Sequence, residues 1–186
     1  VVAVLGSAGL TLGLALQGSL SNFAGGVLIL LMKPFGIGDY ILDGSSGTEG
    51  TVRDITLFYT RLCTIDNKIV MIPNGKLADS CITNFSMMDE RMLDMRVTVA
   101  YSTDLAKAKN VLENVVKSSP AIIADKPVNI FVSELQDSAI ELGARIWVRN
   151  EDYWTTKWQL TENIKNALDD NEIEIPFPQM DINMKN

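Results

Sequence analysis

Residue types that perform covalent chemistry are few and scattered in this chain. Histidine, the commonest general base, does not occur among the 186 residues. Carboxylates such as Glu49, Asp54 and Glu134 could act as acids or bases, but no recognisable set of nucleophile and base accompanies them. We interpret them as solvated surface charges, and the sequence predicts no enzymatic activity and no cofactor.

Metal, disulfide and nucleic-acid chemistry are also disfavoured. Cys63 and Cys81 are the two cysteines, and they are too few and too far apart for a disulfide framework or for a metal or redox motif. With 16 Lys and Arg against 23 Asp and Glu, the net charge is -7, which repels a phosphate backbone. The composition predicts no metal site and no nucleic-acid partner, and it fits a reducing compartment.

An apolar opening segment is too long for one straight membrane span. Residues 1–32 carry no charge, and Lys33 is the first charged residue. A helix of this length would be about 48 Å long, whereas the hydrocarbon core of a bilayer is about 30 Å thick. We expect the segment to tilt, bend or leave the membrane partway. Because the chain starts inside this run and without Met, we also expect further residues before Val1.

Two other interpretations of this segment are weaker. A signal peptide would have a basic region and a shorter apolar stretch. A buried helix of a soluble protein would have to accommodate six glycines, each costing about 1 kcal/mol relative to Ala. Between membrane helices, small residues instead let the backbones approach closely. The six are Gly6, Gly9, Gly13, Gly18, Gly25 and Gly26.

A helical wheel places two flanks of small residues on either side of a leucine stripe. Such a helix can pack against identical neighbours on both sides and form a ring, with the stripe facing the axis. Stacked leucine rings stop ions by excluding water. The same spacing is equally expected of leucines that pack against other helices. The flanks are Gly6, Gly9 and Gly13 on one side and Ala3, Ser7 and Thr11 on the other, and the stripe is Leu10 and Leu14.

Polar residues after the first half of the segment predict a kink. Gln17 and Gly18 interrupt the apolar pattern, and glycine has the most permissive backbone. The second half ends at Lys33 and Pro34, where a cation and a proline mark exit from the interface and from the helix. We expect this half to lie along the membrane surface.

The remainder has two different patterns. Short strands over 51–55, 60–65 and 68–72, separated by turn residues, predict a small β-barrel of the Sm-like kind. Pro73-Asn74-Gly75 is interpreted as a turn, because Asn-Gly tolerates positive φ. Strands over 95–101, 128–133 and 140–148 alternate with helices over 104–118 and 154–171, which predicts a ferredoxin-like α+β unit. The second helix has Trp154, Trp158, Thr161, Ile164 and Leu168 on one side.

The end of the chain predicts one more strand. Residues 176–186 alternate apolar with acidic or amide side chains, but a lone strand is only marginally stable. Copies from several subunits could close an oligomeric parallel β-barrel.

Five motifs in this order resemble the small-conductance mechanosensitive channel (MscS) family throughout the chain. They are GSAGLTLGLALQGSLSN at 6–22, KPFGIGD at 33–39, IPNGK at 72–76, NFS at 84–86 and PFPQMD at 176–181.

The resemblance implies a homoheptameric channel in the bacterial inner membrane, in contact with membrane lipids. Membrane tension would open it and release ions and small solutes on hypo-osmotic shock. It implies a kinked pore helix over 1–32, a β domain over 33–93, an α/β domain over 94–175 and a barrel strand over 176–186, the last three in the cytoplasm as a hollow vestibule with side portals.

The resemblance also implies roles for individual positions. The two helices that sense tension would precede this sequence. Where the family often has alanine, Ser7 and Thr11 are expected to form hydroxyl hydrogen bonds between helices that stiffen the ring or shift the gating tension. The other roles are the pore constriction for Leu10 and Leu14, helix packing for Gly9 and Gly13, the kink for Gln17 and Gly18, a second bending point for Gly26, contact with the preceding helices for Leu16 and Leu20, and a portal charge for Asp94.

One rival interpretation treats residues 33–186 as an oligomeric scaffold or RNA-binding β module with a membrane anchor. The acidic balance argues against RNA. A simple anchor would not need glycines on its flanks.

Overall fold

The computed structural model of the protein describes residues 2–180 and 182, with side-chain surroundings described from Gly6 onward. The chain divides into two compact units, Val1–Met87 and Met88–Asn186. The finer division predicted from the sequence stays a prediction.

The first unit begins with a long apolar helix, α1, over Val2–Met32. Its backbone is helical through Gln17 and Gly18, and the predicted kink stays a prediction. The helix ends at Met32, before Lys33, which has a positive φ of 46° and is followed by Pro34, a residue without a backbone N–H. Among the described residues, one helical stretch, Gly6–Met32, is long and apolar enough to cross a membrane.

An antiparallel sheet follows α1 in the first unit. Its order is β4-β3-β2-β1-β5, so β4 and β5 are the edges and barrel closure stays a prediction. Three strands, over residues 48–55, 59–63 and 69–73, confirm the predicted segments to within a few residues. The strand over residues 40–43, which lies inside the sheet, was not predicted, because glycine and aspartate, both typical of turns, precede it. The strands are β1 (Tyr40–Asp43), β2 (Thr48–Ile55), β3 (Tyr59–Cys63), β4 (Ile69–Pro73) and β5 (Ile82–Asn84).

The predicted turn at Pro73-Asn74-Gly75 is wrong. Strand β4 ends at Pro73, and a short helix, α2 (Asn74–Asp79), begins directly after it. Neither Asn74 nor Gly75 has a positive φ. Both residues are buried, so packing rather than turn chemistry determines their conformation.

The core of the first unit includes a residue of the long helix. Ile29 is 3% exposed and packs with the sheet residues and Leu77 of α2. The second half of α1 is therefore part of this core. The cluster consists of Ile29, Phe35, Ile41, Val52, Leu62, Ile72 and Leu77.

The second unit has the predicted β-α-β-β-α order of elements. Its antiparallel sheet has the order β6-β8-β7, and the helices cover one side of it. Asp104 begins the first helix by accepting hydrogen bonds from the backbone N–H groups of Ala106 and Lys107 at 2.9 and 3.2 Å. The elements are β6 (Glu90–Val99), α3 (Leu105–Ser118), β7 (Asn129–Leu135), β8 (Ile140–Arg149) and α4 (Tyr153–Asp170).

The tryptophans of α4 do not belong to its buried face. Trp154 and Trp158 are 51% and 65% exposed, and their rings lie 6.1 Å apart. Thr161 is also exposed, so the predicted single face is wrong for these three residues. The helix instead buries Thr156, Leu160, Ile164 and Leu168.

The chain after α4 is not in a strand over residues 176–180. Glu174 is held to the end of β6, where its carbonyl oxygen accepts the Ala100 N–H at 3.0 Å. Phe177, Met180 and Ile182 are exposed. Residue 181 and residues 183–186 of the predicted barrel strand lie outside the described residues, and the oligomeric barrel stays a prediction.

Candidate functional site

The two leucines of the predicted gate lie one turn apart on α1. Leu10 is 67% exposed and Leu14 is 63% exposed. Helical spacing of four residues places both side chains on one stripe. The chain therefore presents an apolar stripe that its own residues do not cover.

A separate face of α1 bears an apolar groove of about 470 Å³. The rings of Phe23 and Phe58 meet at one end of it, with their centroids 6.1 Å apart. Neither Leu10 nor Leu14 lines this groove, so the structure separates the leucine stripe from the groove. It also brings Gly9 and Gly13, two of the glycines predicted to pack against neighbouring helices, together with Leu16 and Leu20. The groove is lined by Gly9, Leu12, Gly13, Leu16, Ser19, Leu20, Phe23 and Phe58.

The glycines of α1 fall into two groups. A Cβ atom added to Gly6, Gly9, Gly13 or Gly18 would meet nothing within 4 Å, apart from the helix itself. Gly25 and Gly26 are buried, and there an added Cβ would collide with the backbone of the loop after β2 and of α2. Packing within the chain thus accounts for the second group and not for the first.

The hydroxyl of Thr11 bonds within its own helix. Its Oγ1 donates to the carbonyl oxygen of Ser7 at 2.8 Å. The hydroxyl proton is therefore already used, and the predicted hydrogen bonds between helices stay a prediction.

Sequence reasoning missed the polar contacts that hold α1 to the sheet. Asn22 Oδ1 accepts the backbone N–H of Gly75 at 3.0 Å. Asn74 is fully buried, and its Oδ1 accepts the Thr60 hydroxyl at 2.8 Å while its Nδ2 donates to the Thr56 carbonyl oxygen at 2.7 Å. The motif at 72–76 carried the signal, but its Asn-Gly pair was interpreted as a turn.

Asp94 lies on the exposed face of the second sheet and is paired with two arginines. Its carboxylate accepts from Arg96 Nη2 at 2.8 Å and from Arg145 Nε at 3.1 Å. Burial by itself raises the pKa of Asp94, but the hydrogen bonds and charges of the two guanidinium groups outweigh it and lower the pKa. The carboxylate is therefore ionised and largely neutralised by its neighbours.

Among the residues that the structure describes, no three Cys, Asp or Glu residues are grouped to hold a metal ion. Cys63 is buried, Cys81 is exposed and both are free thiols. Asp54 pairs with Arg61 at 3.6 Å on the surface.

Both units match described families over most of their length. Residues 18–87 match "Mechanosensitive ion channel, beta-domain", and residues 93–175 match "Mechanosensitive ion channel MscS, C-terminal". A small-conductance mechanosensitive channel of Helicobacter pylori is 34% identical over 187 residues, which cover 100% of this chain and 68% of that protein. The chain belongs to the MscS family.

Other MscS relatives agree with this assignment. A small-conductance mechanosensitive channel of Edwardsiella ictaluri is 48% identical over 178 residues, which cover 96% of this chain and 62% of that protein. An MscS family protein of Buchnera aphidicola is 43% identical and is covered to 65%. The chain thus spans a little under two thirds of the length of these relatives.

Two solved structures have the same fold. The crystal structure of Helicobacter pylori MscS in its closed state matches with a TM-score of 0.94 and 33% identity, over 100% of this chain and 73% of that one. The cryo-EM structure of Arabidopsis thaliana MSL1 matches with a TM-score of 0.79 and 20% identity, over 95% of this chain and 65% of that one, which shows the fold alone.

Proposed function

We propose that the complete protein is a mechanosensitive ion channel of a bacterial inner membrane, with α1 as its pore-lining helix. The observation that carries the proposal is the division of α1 into a leucine stripe and a separate groove that contains glycines. Membership of the MscS family supports the same activity. We propose no enzymatic reaction and no cofactor.

The proposed assembly is a homoheptamer in contact with membrane lipids. Gly6, Gly9 and Gly13 have no partner atoms within 4 Å that would explain the lack of a side chain. Neighbouring α1 helices, with Ser7 and Thr11 on their opposite flank, would supply those atoms and approach closely. Leu16 and Leu20, which line the groove, would contact the helices that precede Val1.

The proposed gate is a pair of leucine rings. In a ring of α1 helices packed by their small flanks, Leu10 and Leu14 would face the axis. A narrow apolar constriction excludes water and so stops ions without a charged residue. Gln17 and Gly18 are the proposed bending point of the helix.

Tension would open the pore because the open state occupies more membrane area. A force that favours larger area shifts the equilibrium toward that state, as a ligand shifts it toward the state it prefers. Ions and small solutes would then leave the cell during hypo-osmotic shock.

The rest of the chain would form a cytoplasmic vestibule. We propose an Sm-like β domain over 33–93, a ferredoxin-like domain over 94–175 and a barrel strand over 176–186. The strand order β6-β8-β7 and the exposed apolar side chains of the tail support this division. Asp94 would lie at the vestibule portals, with its charge balanced by Arg96 and Arg145.

Patch-clamp recording of the complete protein in liposomes under graded suction tests the proposal. We expect tension-activated currents, and we expect Leu14→Ser to open at lower suction because a hydroxyl hydrates the constriction. Leu12→Ser is the matched control, since Leu12 has the same 63% exposure but lines the groove. It should not lower the opening threshold as Leu14→Ser does.

Each alternative result has a definite meaning. Currents unaffected by Leu14→Ser would retain the channel and reject the leucine gate. No current from a correctly assembled, reconstituted protein would reject channel activity and favour an anchored scaffold.

A further inference from the structure

The second half of α1 rests directly on the backbone of the sheet unit. The contact surface on the sheet side consists of Leu57, Asn74 and Gly75, which we call the seat. A Cβ atom added to Gly26 would overlap the carbonyl oxygen of Leu57 and lie 2.7 Å from Asn74 Nδ2. A Cβ atom added to Gly25 would lie 2.5 Å from the Asn74 carbonyl oxygen. Real Cβ atoms essentially never make such contacts, and a backbone atom cannot move aside cheaply.

The sheet side of the contact also carries a glycine. A Cβ atom added to Gly75 would lie 2.7 Å from Ser21 Oγ and 2.9 Å from Asn22 Oδ1 of the helix. Gly25 and Gly26 let the helix backbone meet the backbone of the seat directly, whereas Gly75 leaves room for the side chains of Ser21 and Asn22. Such a contact is short and leaves no room for sliding.

The seat is held rigid by hydrogen bonds of its own. Asn74 bonds through its side chain to Thr60 and to Thr56, and its N–H donates to the Phe58 carbonyl oxygen at 2.9 Å. The Thr56 hydroxyl accepts the N–H of Tyr59 at 3.1 Å. Because Asn74 joins the loop after β2 to the start of α2, it positions both parts of the seat.

Two further contacts hold the helix in place. Asn22 accepts the N–H of Gly75, one of the first N–H groups of α2, which have no partner within that helix. Pro73 precedes α2 and provides no capping side chain. One turn beyond Gly26, Ile29 is buried in the core of the unit. The anchored stretch thus runs from Asn22 to Ile29.

We infer that Gly25 and Gly26 act as packing residues rather than as bending points, and that Asn74 is the positioning residue that seats them. Residues 22–29 then move with the sheet as one body, and bending of α1 is confined to the part before Asn22. Gly18 is open to bending, because an added Cβ atom there meets nothing within 4 Å. The role of this contact in gating rests on the proposed function, but the contact itself can be tested without recording ion currents.

Hydrogen–deuterium exchange of the complete, detergent-solubilised protein tests the seat in three glycine variants. If the seat is correct, Gly25→Ala and Gly26→Ala disturb it, and exchange over 56–60 and 74–77 becomes about tenfold faster, as expected for an overpacked contact. Gly18→Ala is the matched control and should leave these segments unchanged. If Gly26 were a free hinge, Ala would instead strengthen the helix and exchange would slow or stay the same.

Asn22→Ala provides a second test if a glycine variant fails to fold. It removes the acceptor of the Gly75 N–H without adding bulk, and we expect faster exchange over 74–77. Unchanged or slower exchange in Gly26→Ala or in Asn22→Ala overturns the inference. Faster exchange in a protein that carries no tension-activated current would support the seat and reject only the proposed channel activity.

Discussion

Asn22 and Gly75 are 53 residues apart in sequence, yet the side-chain oxygen of Asn22 accepts the backbone N–H of Gly75 at 3.0 Å. The bond joins the apolar helix α1 to the first turn of α2. It satisfies a backbone donor that α2 cannot satisfy itself. Stability of the first unit and the position of α1 are therefore linked through this atom pair.

We expect Asn22→Ala to destabilise the first unit by about 1–2 kcal/mol, because the Gly75 N–H loses its acceptor in a partly buried site. Thermal unfolding of the complete protein in detergent measures the loss. Asn22→Asp keeps a side-chain acceptor and should recover most of the stability. Equal losses in both variants would contradict the assignment of the effect to the lost acceptor.

Thr60→Val should lower the free energy of unfolding by about 1–3 kcal/mol, because it leaves the buried Oδ1 of Asn74 without its hydrogen-bond donor. The midpoint of thermal unfolding should fall by several degrees. Thr83→Val is the control, since Thr83 is an exposed strand residue and its replacement should change stability by less than about 0.5 kcal/mol. A Thr60→Val variant as stable as this control would show that the Thr60–Asn74 bond contributes nothing.

Asp43 should make the stability of the first unit depend on pH in the acid range. Burial by itself raises the pKa of Asp43, but hydrogen bonds from Ser46, from the backbone and hydroxyl of Ser45 and from Ser80 outweigh it and lower the pKa to about 2. Because folding lowers this pKa, the ionised carboxylate stabilises the folded protein fully at pH values above the ordinary aspartate pKa of about 4. The stabilisation is lost as the pH falls through about 2.

The matching variant is Asp43→Asn, whose free energy of unfolding should be lower by about 2 kcal/mol at neutral pH. Unfolding measured between pH 7 and pH 2 should show the difference from the natural sequence shrinking below about pH 4. The exposed Asp79→Asn serves as control and should show no such convergence. A difference that stays constant down to pH 2 would exclude the carboxylate as its origin.

Asp94→Asn should shift the ion preference of the proposed channel toward anions. The substitution removes a negative charge that balances Arg145 and, together with Glu141, Arg96, so the site would become more positive toward passing ions. The reversal potential in a salt gradient measures the change. Asp169→Asn is the control. It also removes one negative charge, from an aspartate that pairs with Lys165 on α4, and it should shift the reversal potential less. Equal shifts would contradict a portal position for Asp94.

Much of the fold could be predicted because its signals are local and periodic. A charge-free run of 32 residues specifies an apolar helix, and alternation along 140–148 specifies a strand, whatever the rest of the chain does. The strand and helix periodicities of the second unit are also local, which is why its order of elements is confirmed. Weak local signals failed, as at the three-residue edge strand β5 and at the four-residue strand β1.

The exposed tryptophans of α4 show where periodicity stops being informative. Helical spacing placed Trp154 and Trp158 in line with Ile164 and Leu168, but the spacing does not determine where the buried stripe is centred. The structure centres it on Leu160 and Thr156, and the two large rings lie on the surface instead, tilted by 33° to each other.

The sequence by itself determined the family, the apolar helix and the separation of leucines from glycines along that helix, because residue type and spacing along one chain suffice for each. Only the tertiary structure decided that Gly26 meets a backbone carbonyl, that Asn74 is buried at the start of a helix, and that Asp94 is neutralised by Arg145, 51 residues away. These facts depend on which distant segments come into contact, and contact between distant segments is fixed by packing in three dimensions rather than by the local pattern of residues.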